Sequence, residues 1–256
     1  MRILKLENLI ASQGGVEVLH IPALEVNKGQ ALAVLGPNGS GKTTLLLCIA
    51  GLLEKTRGRL FFRDEEVEGR AQMDRLRGCA TMVFQEPLLF DATVQANIEA
   101  GLRIRGFKGA KCRQRAEEMA KLFGISHLME RSARKLSGGE SQRTSLARAF
   151  AIEPDLILMD EPFSALDAPT RQSLLYDLGQ VLKQSSTTAI FSTHDLGDAT
   201  CLADSIAVLN EGCLVQHGTV QNVLQSPQDA FVASLVASFK TSINQAQHVI
   251  SVHATT

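Results

Sequence analysis

Ala31-Leu32-Ala33-Val34-Leu35-Gly36-Pro37-Asn38-Gly39-Ser40-Gly41-Lys42-Thr43-Thr44 decides how this chain folds. Its first five residues form an uninterrupted apolar run, the mark of a strand buried on both faces. The next eight satisfy G-x-x-x-x-G-K-[ST], and a helical stretch from Thr43 to Leu53 follows, so the pattern sits between a strand and a helix, as it requires. Glycines there let consecutive backbone N–H groups turn inward as an anion nest, and the helix adds its positive N-terminal end. Lys42 is placed to reach the β- and γ-phosphates of a nucleotide, and the Thr43 hydroxyl to ligate Mg²⁺. Gly36, Pro37, Asn38, Gly39, Ser40, Gly41 and Thr44 complete the cradle. The competing reading is a flexible glycine turn before a helix.

Outward from this loop the chain alternates strand and helix. Apolar segments between Leu4 and Val34, broken at Gln13-Gly14-Gly15 and Asn27-Lys28-Gly29, read as strands and turns. Further strands are expected at Arg59 to Phe62, Ala80 to Phe84, Leu156 to Met159, Thr188 to Ser192 and Ile206 to Leu209, the last turning at Asn210-Glu211-Gly212 into Leu214 to Gln216. Helices are expected over Thr93 to Arg105, Ala110 to Phe123, Glu140 to Ala151 and Ala168 to Lys183. Ser226-Pro227-Gln228-Asp229 reads as another helix start, with Pro at its first position, and the polar tail after Phe239 reads as loose. The expected fold is therefore α/β: a phosphate-loop core (1–85 and 154–240) on a mostly parallel sheet, an antiparallel β segment, an inserted α-helical subdomain (86–153) and a polar tail (241–256).

A second apolar strand ends in two acids, Asp160 and Glu161. Successive strand residues point to opposite faces, so the two carboxylates cannot do the same job. Asp160 suits Mg²⁺ held through water, and Glu161 suits a general base that polarises an attacking water. An isolated acidic pair would instead be read as solvated loop.

Composition bounds the rest. The 256 residues carry Lys+Arg 26 against Asp+Glu 27, a formal charge of −1, which excludes general polyelectrolyte attraction to nucleic acid. Five scattered cysteines without a C-x-x-C pair fit neither a disulfide scaffold nor a zinc ribbon, and point to a reducing compartment. The longest apolar run, Leu45 to Leu53, is far shorter than the ~20 residues that span a bilayer, and no signal peptide is read at the start.

Leu136-Ser137-Gly138-Gly139-Glu140, with Gln142 and Arg143, lies 20 residues before the acidic strand and resembles the signature motif of ABC ATPases. On its own chemistry it is a Ser-capped helix start that can receive an anion. The resemblance covers residues 2 to about 238 and matches three further positions. Gln85 falls where the family has a glutamine that contacts Mg²⁺ and couples to the membrane partner. Ser164-Ala165-Leu166-Asp167 resembles the loop that communicates between two sites, Asp167 also being a plausible helix cap, and His194 resembles the switch histidine that touches the γ-phosphate and supports Glu161. One departure is plain: residues 1–60 contain no Phe, Tyr or Trp to stack on adenine, and Gln13 or Val16 occupies that region.

The resemblance implies an ATP-hydrolysing subunit that binds ATP and Mg²⁺ and dimerises head to tail, each signature motif (Ser137, Gly138, Gly139, Glu140) capping the nucleotide on its partner's phosphate loop. It implies a separate membrane permease, docked on Pro87 to Gly106 through Leu88, Leu89 and Phe90, a solute-binding protein acting indirectly, and a peripheral place on the cytoplasmic face of the membrane. The stretch from Glu161 to Arg171 is similar to the ATPases of tungstate, molybdate and sulfate importers, which suggests an oxyanion as solute. The basic residues Arg103, Arg105, Lys108, Lys111, Arg113 and Arg115 read as a solvated helix face rather than a headgroup site. The chain ends about 17 residues after Phe239, too short for the β-rich regulatory domain of molybdate relatives. Alternatives are a transporter ATPase for another solute, exporting or importing, or an ABC ATPase outside transport; the latter lacks the expected coiled-coil insertion or second cassette.

Overall fold

The computed structural model describes residues 1–253, with side chains as far as Thr241; residues 254–256 of the polar tail lie outside the described residues. In chain order the elements are β1 (Arg2–Gln13), β2 (Val16–Asn27), β3 (Ala31–Leu35), α1 (Lys42–Ile49), β4 (Arg57–Phe62), β5 (Glu65–Glu66), α2 (Gly69–Cys79) and β6 (Ala80–Val83). Three helices follow, α3 (Val94–Ile104), α4 (Gly109–Leu122) and α5 (Gly138–Ala151). The chain then continues through β7 (Leu156–Met159), α6 (Ala168–Gln184), β8 (Thr188–Thr193), α7 (Leu196–Leu202), β9 (Ser205–Asn210), β10 (Cys213–Thr219), α8 (Val220–Gln225) and α9 (Ala230–His253).

Among the described residues the strands join in one ten-stranded sheet, ordered β5-β4-β1-β2-β10-β9-β3-β8-β7-β6. The run β9-β3-β8-β7-β6 is parallel, and β5, β4, β1 and β2 form an antiparallel segment. Of the parallel strands, β3 and β7 are apolar throughout because each of their faces packs on its own core. Ala31, Ala33 and Leu35 enter one apolar cluster with Ile157, Met159, Ala189 and Phe191. Their alternates Leu32, Val34, Leu156, Leu158 and Ile190 enter a second cluster on the opposite face. The first cluster also takes in α3, α4 and α5, and the second takes in α1 and the antiparallel strands. Two buried layers of Leu, Ile, Val and Phe contribute about 1.5–3 kcal/mol per large side chain before conformational entropy is charged against them.

Several boundaries move for local reasons. The first helix stops at Ile49 rather than Leu53, because Ala50 caps it and Gly51 turns left-handed (φ +65°). The helix start expected at Ser226-Pro227 is not one. Gln216 pins that segment instead, donating to the Ser226 carbonyl (3.0 Å) and accepting from the Gln228 N–H (2.9 Å), and α9 begins at Ala230 under the Asp229 cap. The tail expected to be loose continues as α9 through His253.

The basic stretch on α3 and α4 is largely neutralised within the chain. Arg103 pairs with Glu99, Arg113 with Glu117 (3.0 Å), and Arg115 with Glu118 and Glu153 (both 3.1 Å). Arg105 instead ties the end of α3 to the carbonyls of Ile152 (2.9 Å) and Gly78 (2.8 Å). These partners favour the solvated-face reading over lipid headgroups. No helix among the described residues is long and apolar enough to cross a membrane.

Candidate functional site

The loop between β3 and α1 is closed so tightly that its first glycine has no substitute. A Cβ on Gly36 would lie 2.3 Å from the Leu209 carbonyl oxygen and 2.5 Å from Ser40 Oγ. Gly39 and Gly41 take φ values of +80° and +96°, which L side chains avoid. The Ser40 carbonyl accepts from Gly212 N–H (3.2 Å), so the β9–β10 turn braces the loop from outside. Inside, Lys42 is buried, and its ammonium donates to the carbonyls of Gly36 (2.9 Å) and Pro37 (3.0 Å). The Ser40 hydroxyl is buried without a hydrogen-bond partner, an orphan that points to a polar ligand at this loop.

The two acids lie just past the end of β7, and backbone geometry rather than strand alternation separates them. Glu161 adopts φ +42°, a left-handed conformation uncommon outside glycine and of the kind that collects at functional sites. Its N–H donates to Ser192 Oγ (2.8 Å), and the same hydroxyl donates to Asp160 Oδ1 (2.6 Å). The Asp160 carboxylate stays buried, while that of Glu161 turns into a groove. There Oε1 lies 3.2 Å from Lys42 Nζ, and Oε2 is hydrogen-bonded to His194 Nδ1 (3.0 Å).

This groove of about 530 Å³ is lined by Asn38, Gly39, Gly41, Lys42, Thr43 and Thr44 from the loop and by Gln85, Glu161, Ser164 and His194 from the strand ends opposite. Gln85 donates through Nε2 to Ser164 Oγ (3.2 Å), which leaves its amide oxygen for another partner. Gln13 and Val18 also line the groove. Of the two residues expected in that region Gln13 lines the groove, whereas Val16 is 66% exposed at the hairpin tip and does not, and the aliphatic side chain in the lining is Val18. Among the described residues no aromatic ring lines the groove.

Ser137, Gly138, Gly139 and Glu140 do not line this groove. They form the start of α5 as a reciprocal capping box: Ser137 Oγ accepts from Glu140 N–H (3.3 Å), and Glu140 Oε2 accepts from Ser137 N–H (2.7 Å). That second bond, more than any other contact, lowers the Glu140 pKa below its ordinary value. Gly139 is needed because a Cβ there would meet Thr170 Cγ2 at 2.6 Å, in the first turn of α6. Asp167 caps that helix, accepting from Thr170 N–H (2.9 Å). Two helix N-termini thus sit side by side, with Ser137, Gly138 and Asp167 exposed.

Among the described residues no three His, Cys, Asp or Glu side chains converge as a resident metal site. The donors at hand are the exposed Thr43 hydroxyl, the Gln85 amide oxygen and the Asp160 carboxylate, with one oxygen engaged by Ser192. A hard cation that keeps its waters and takes phosphate oxygens from a bound nucleotide suits such a set.

Loop, buried carboxylate and strand order define a P-loop nucleotide-binding α/β protein. A family model described as ABC transporter matches residues 19–164, and the chain belongs to that family. It is 41% identical over 223 residues to the sulfate/thiosulfate import ATP-binding protein CysA of Mesorhizobium japonicum, covering 85% of this chain and 64% of that protein. It is 39% identical to the sn-glycerol-3-phosphate import ATP-binding protein UgpC of Yersinia pestis, covering 93% of this chain and 66% of that one. The chain thus spans a little under two thirds of the length of these curated relatives. Among solved structures, cbiO1 of Clostridium perfringens, part of the ABC transporter complex cbiONQ, superposes with a TM-score of 0.82 at 27% identity, over 98% of this chain and 99% of that one. An ATP-binding cassette of an ABC transporter in an ADP conformation gives 0.79 at 26% identity, over 91% and 98%.

Proposed function

We propose that this chain binds MgATP in the groove, hydrolyses it, and thereby drives solute import through a separate membrane permease. The observation that carries the reading is the meeting of Lys42, Glu161 and His194 at one phosphate loop, with Glu161 bonded to both of the others. An entering triphosphate displaces Glu161 as the partner of Lys42 and takes the loop's N–H groups and the Ser40 hydroxyl. Glu161, still held by His194, then accepts a proton from a water aligned with the γ-phosphate. Thr43, Asp160 and Gln85 would hold Mg²⁺, which would supply neutralisation of charge on the phosphate oxygens. Lys42 binds the same oxygens as a fixed positive charge.

The exposed Ser137 and Gly138 are the second half of the site in this reading, supplied to the partner's nucleotide in a head-to-tail homodimer. Their absence from the chain's own groove supports this, as does the exposure of Asp167 next to them. The N-terminal charge of α5 then faces the γ-phosphate, and hydrolysis removes the anion that joins the two subunits.

The permease docks where Leu88 and Phe90 are 59% and 56% exposed and are not core filling. Arg148 fixes this segment, donating to the Leu88 carbonyl (2.8 Å) and lying 5.5 Å from the Phe90 ring centroid. Through the permease the chain sits at the cytoplasmic face of the membrane, with a solute-binding protein delivering cargo from outside. The relatives named for sulfate, thiosulfate and glycerol phosphate import support an oxyanion as that cargo; tungstate or molybdate rests on the likeness of Glu161 to Arg171 alone.

The test is phosphate release by the purified chain. Glu161→Gln is expected to lower turnover by ~100-fold or more while ATP binding persists, because only the proton acceptor is lost. Unchanged turnover in that variant would remove Glu161 from the role of base.

A further inference from the structure

We infer that Arg171 is a positioning residue for His194, an inference that rests on the hydrolytic reading above. His194 is half exposed, and its ring has one described bond, to Glu161 (3.0 Å). So slender a contact does not fix an imidazole. Its orientation is set by its two chain neighbours, and both are clamped.

On the near side, Ser192 ties the end of β8 to Asp160 (2.6 Å) and to the Glu161 N–H (2.8 Å). On the far side, Arg171 reaches across from the second turn of α6. Its Nη2 donates to Asp195 Oδ2 (2.7 Å), and Nε and Nη2 grip Asp198 Oδ1 (2.8 Å) and Oδ2 (2.7 Å). Asp198 is 97% buried by its 3% exposure, so a bidentate guanidinium is what allows the carboxylate to stay charged there.

The same two acids secure the residues on either side of the histidine. Asp198 Oδ2 accepts from the Thr193 hydroxyl (3.0 Å), and that hydroxyl accepts from the Asp195 N–H (3.0 Å). Asp195 Oδ1 caps α7 through the Gly197 N–H (2.6 Å). Arg171 is itself one helical turn from Asp167, whose carbonyl accepts its N–H (2.9 Å). A displacement of the exposed Asp167 corner is therefore carried by one rigid turn of α6 into the backbone that aims His194 at Glu161. The clamp acts on the base through histidine orientation and touches no residue of the phosphate cradle.

The experiment compares Arg171→Ala, Arg171→Lys and Asp195→Asn in the full chain, by steady-state hydrolysis, ATP binding and amide exchange. Arg171→Ala is expected to lower kcat on the order of 10- to 100-fold, the scale of a small misplacement of a catalytic group, with KM and ATP affinity within about twofold. Exchange should rise over residues 193–199 and stay unchanged over 36–44, a readout independent of turnover. Arg171→Lys should recover part of kcat, since an ammonium keeps one of the contacts. Asp195→Asn retains the oxygen that caps α7 and replaces the oxygen facing Arg171 with an amide NH2, so it loses that one hydrogen bond and its charge while Asp198 keeps its own, and it should reduce kcat by a smaller factor even if the alanine variant fails to fold.

Wild-type kcat in Asp195→Asn with unchanged exchange over 193–199 would overturn the inference. So would a loss in Arg171→Ala that falls equally on ATP affinity. Lack of hydrolysis by the wild-type chain would instead contradict the hydrolytic reading, while the exchange comparison would still decide whether Arg171 holds this loop.

Discussion

Glu161 carries a left-handed backbone, an ion pair with Lys42 and a hydrogen bond to His194, all at one residue. Relaxing the backbone alone would gain on the order of 1–3 kcal/mol, so the strain is retained because it turns this carboxylate into the groove while Asp160 stays buried. Gln13 and Val18 add an amide and an isopropyl group to the groove lining, and in the proposed reading the base rests against them. Neither has a π face. Binding then depends mainly on the triphosphate, and discrimination between ATP and GTP should be weak. Gln13→Tyr is expected to tighten ATP binding by about 1 kcal/mol, or roughly fivefold, the value of an added aromatic contact. Calorimetric titration with ATP and GTP checks this; equal affinities for wild type and variant would show that the base does not reach Gln13.

At the scale of the element, α5 begins with a capping box formed by the exposed Ser137 and the half-buried Glu140. Ser137→Ala should cost ~1 kcal/mol of stability, seen as a lower midpoint in urea. Glu140 adds a pH dependence. Its pKa is lowered on folding, so its contribution is present above the ordinary glutamate value of 4.5 and is lost as pH falls through the lower, folded value. The stability difference between wild type and Glu140→Gln should therefore shrink in the acid range below 4.5. The signal for this helix was plain in the sequence, since Ser137 and Glu140 stand three apart before an apolar-periodic run. β3 and β7 were equally legible, because burial on both faces writes an unbroken apolar string. Helix α2 was not: Leu76 is the one fully buried side chain of its eleven residues, so it has no apolar stripe to find. The left-handed Glu161 and the choice of Val18 over Val16 were hidden for another reason. Both depend on where a neighbouring strand places the backbone, not on residue type. The Arg171 clamp was hidden likewise, since its partners lie 24 and 27 residues away and meet it only once β8 and α6 are packed.

At the scale of the whole molecule, the proposed reading gives the chain half a site twice. Its groove brings Lys42, Glu161 and His194 together at the phosphate loop, while Ser137 and Gly138, exposed beside Asp167, lie outside it. The chain buries two apolar layers of its own, and in the proposed reading a second copy serves to enclose the nucleotide. Association should therefore follow ligand: Glu161→Gln with MgATP is expected to elute as a dimer, and the same protein without nucleotide as a monomer. The most direct measurement is hydrolysis by mixed pairs of inactive subunits. One Lys42→Ala subunit joined with one Ser137→Ala subunit leaves one cradle intact opposite one intact signature, so activity absent from either homodimer should return to about half the wild-type rate, if the two sites turn over independently. Activity that returns only when both substitutions lie in the same chain, beside a wild-type subunit, would contradict the account, because each nucleotide would then be enclosed by a single polypeptide.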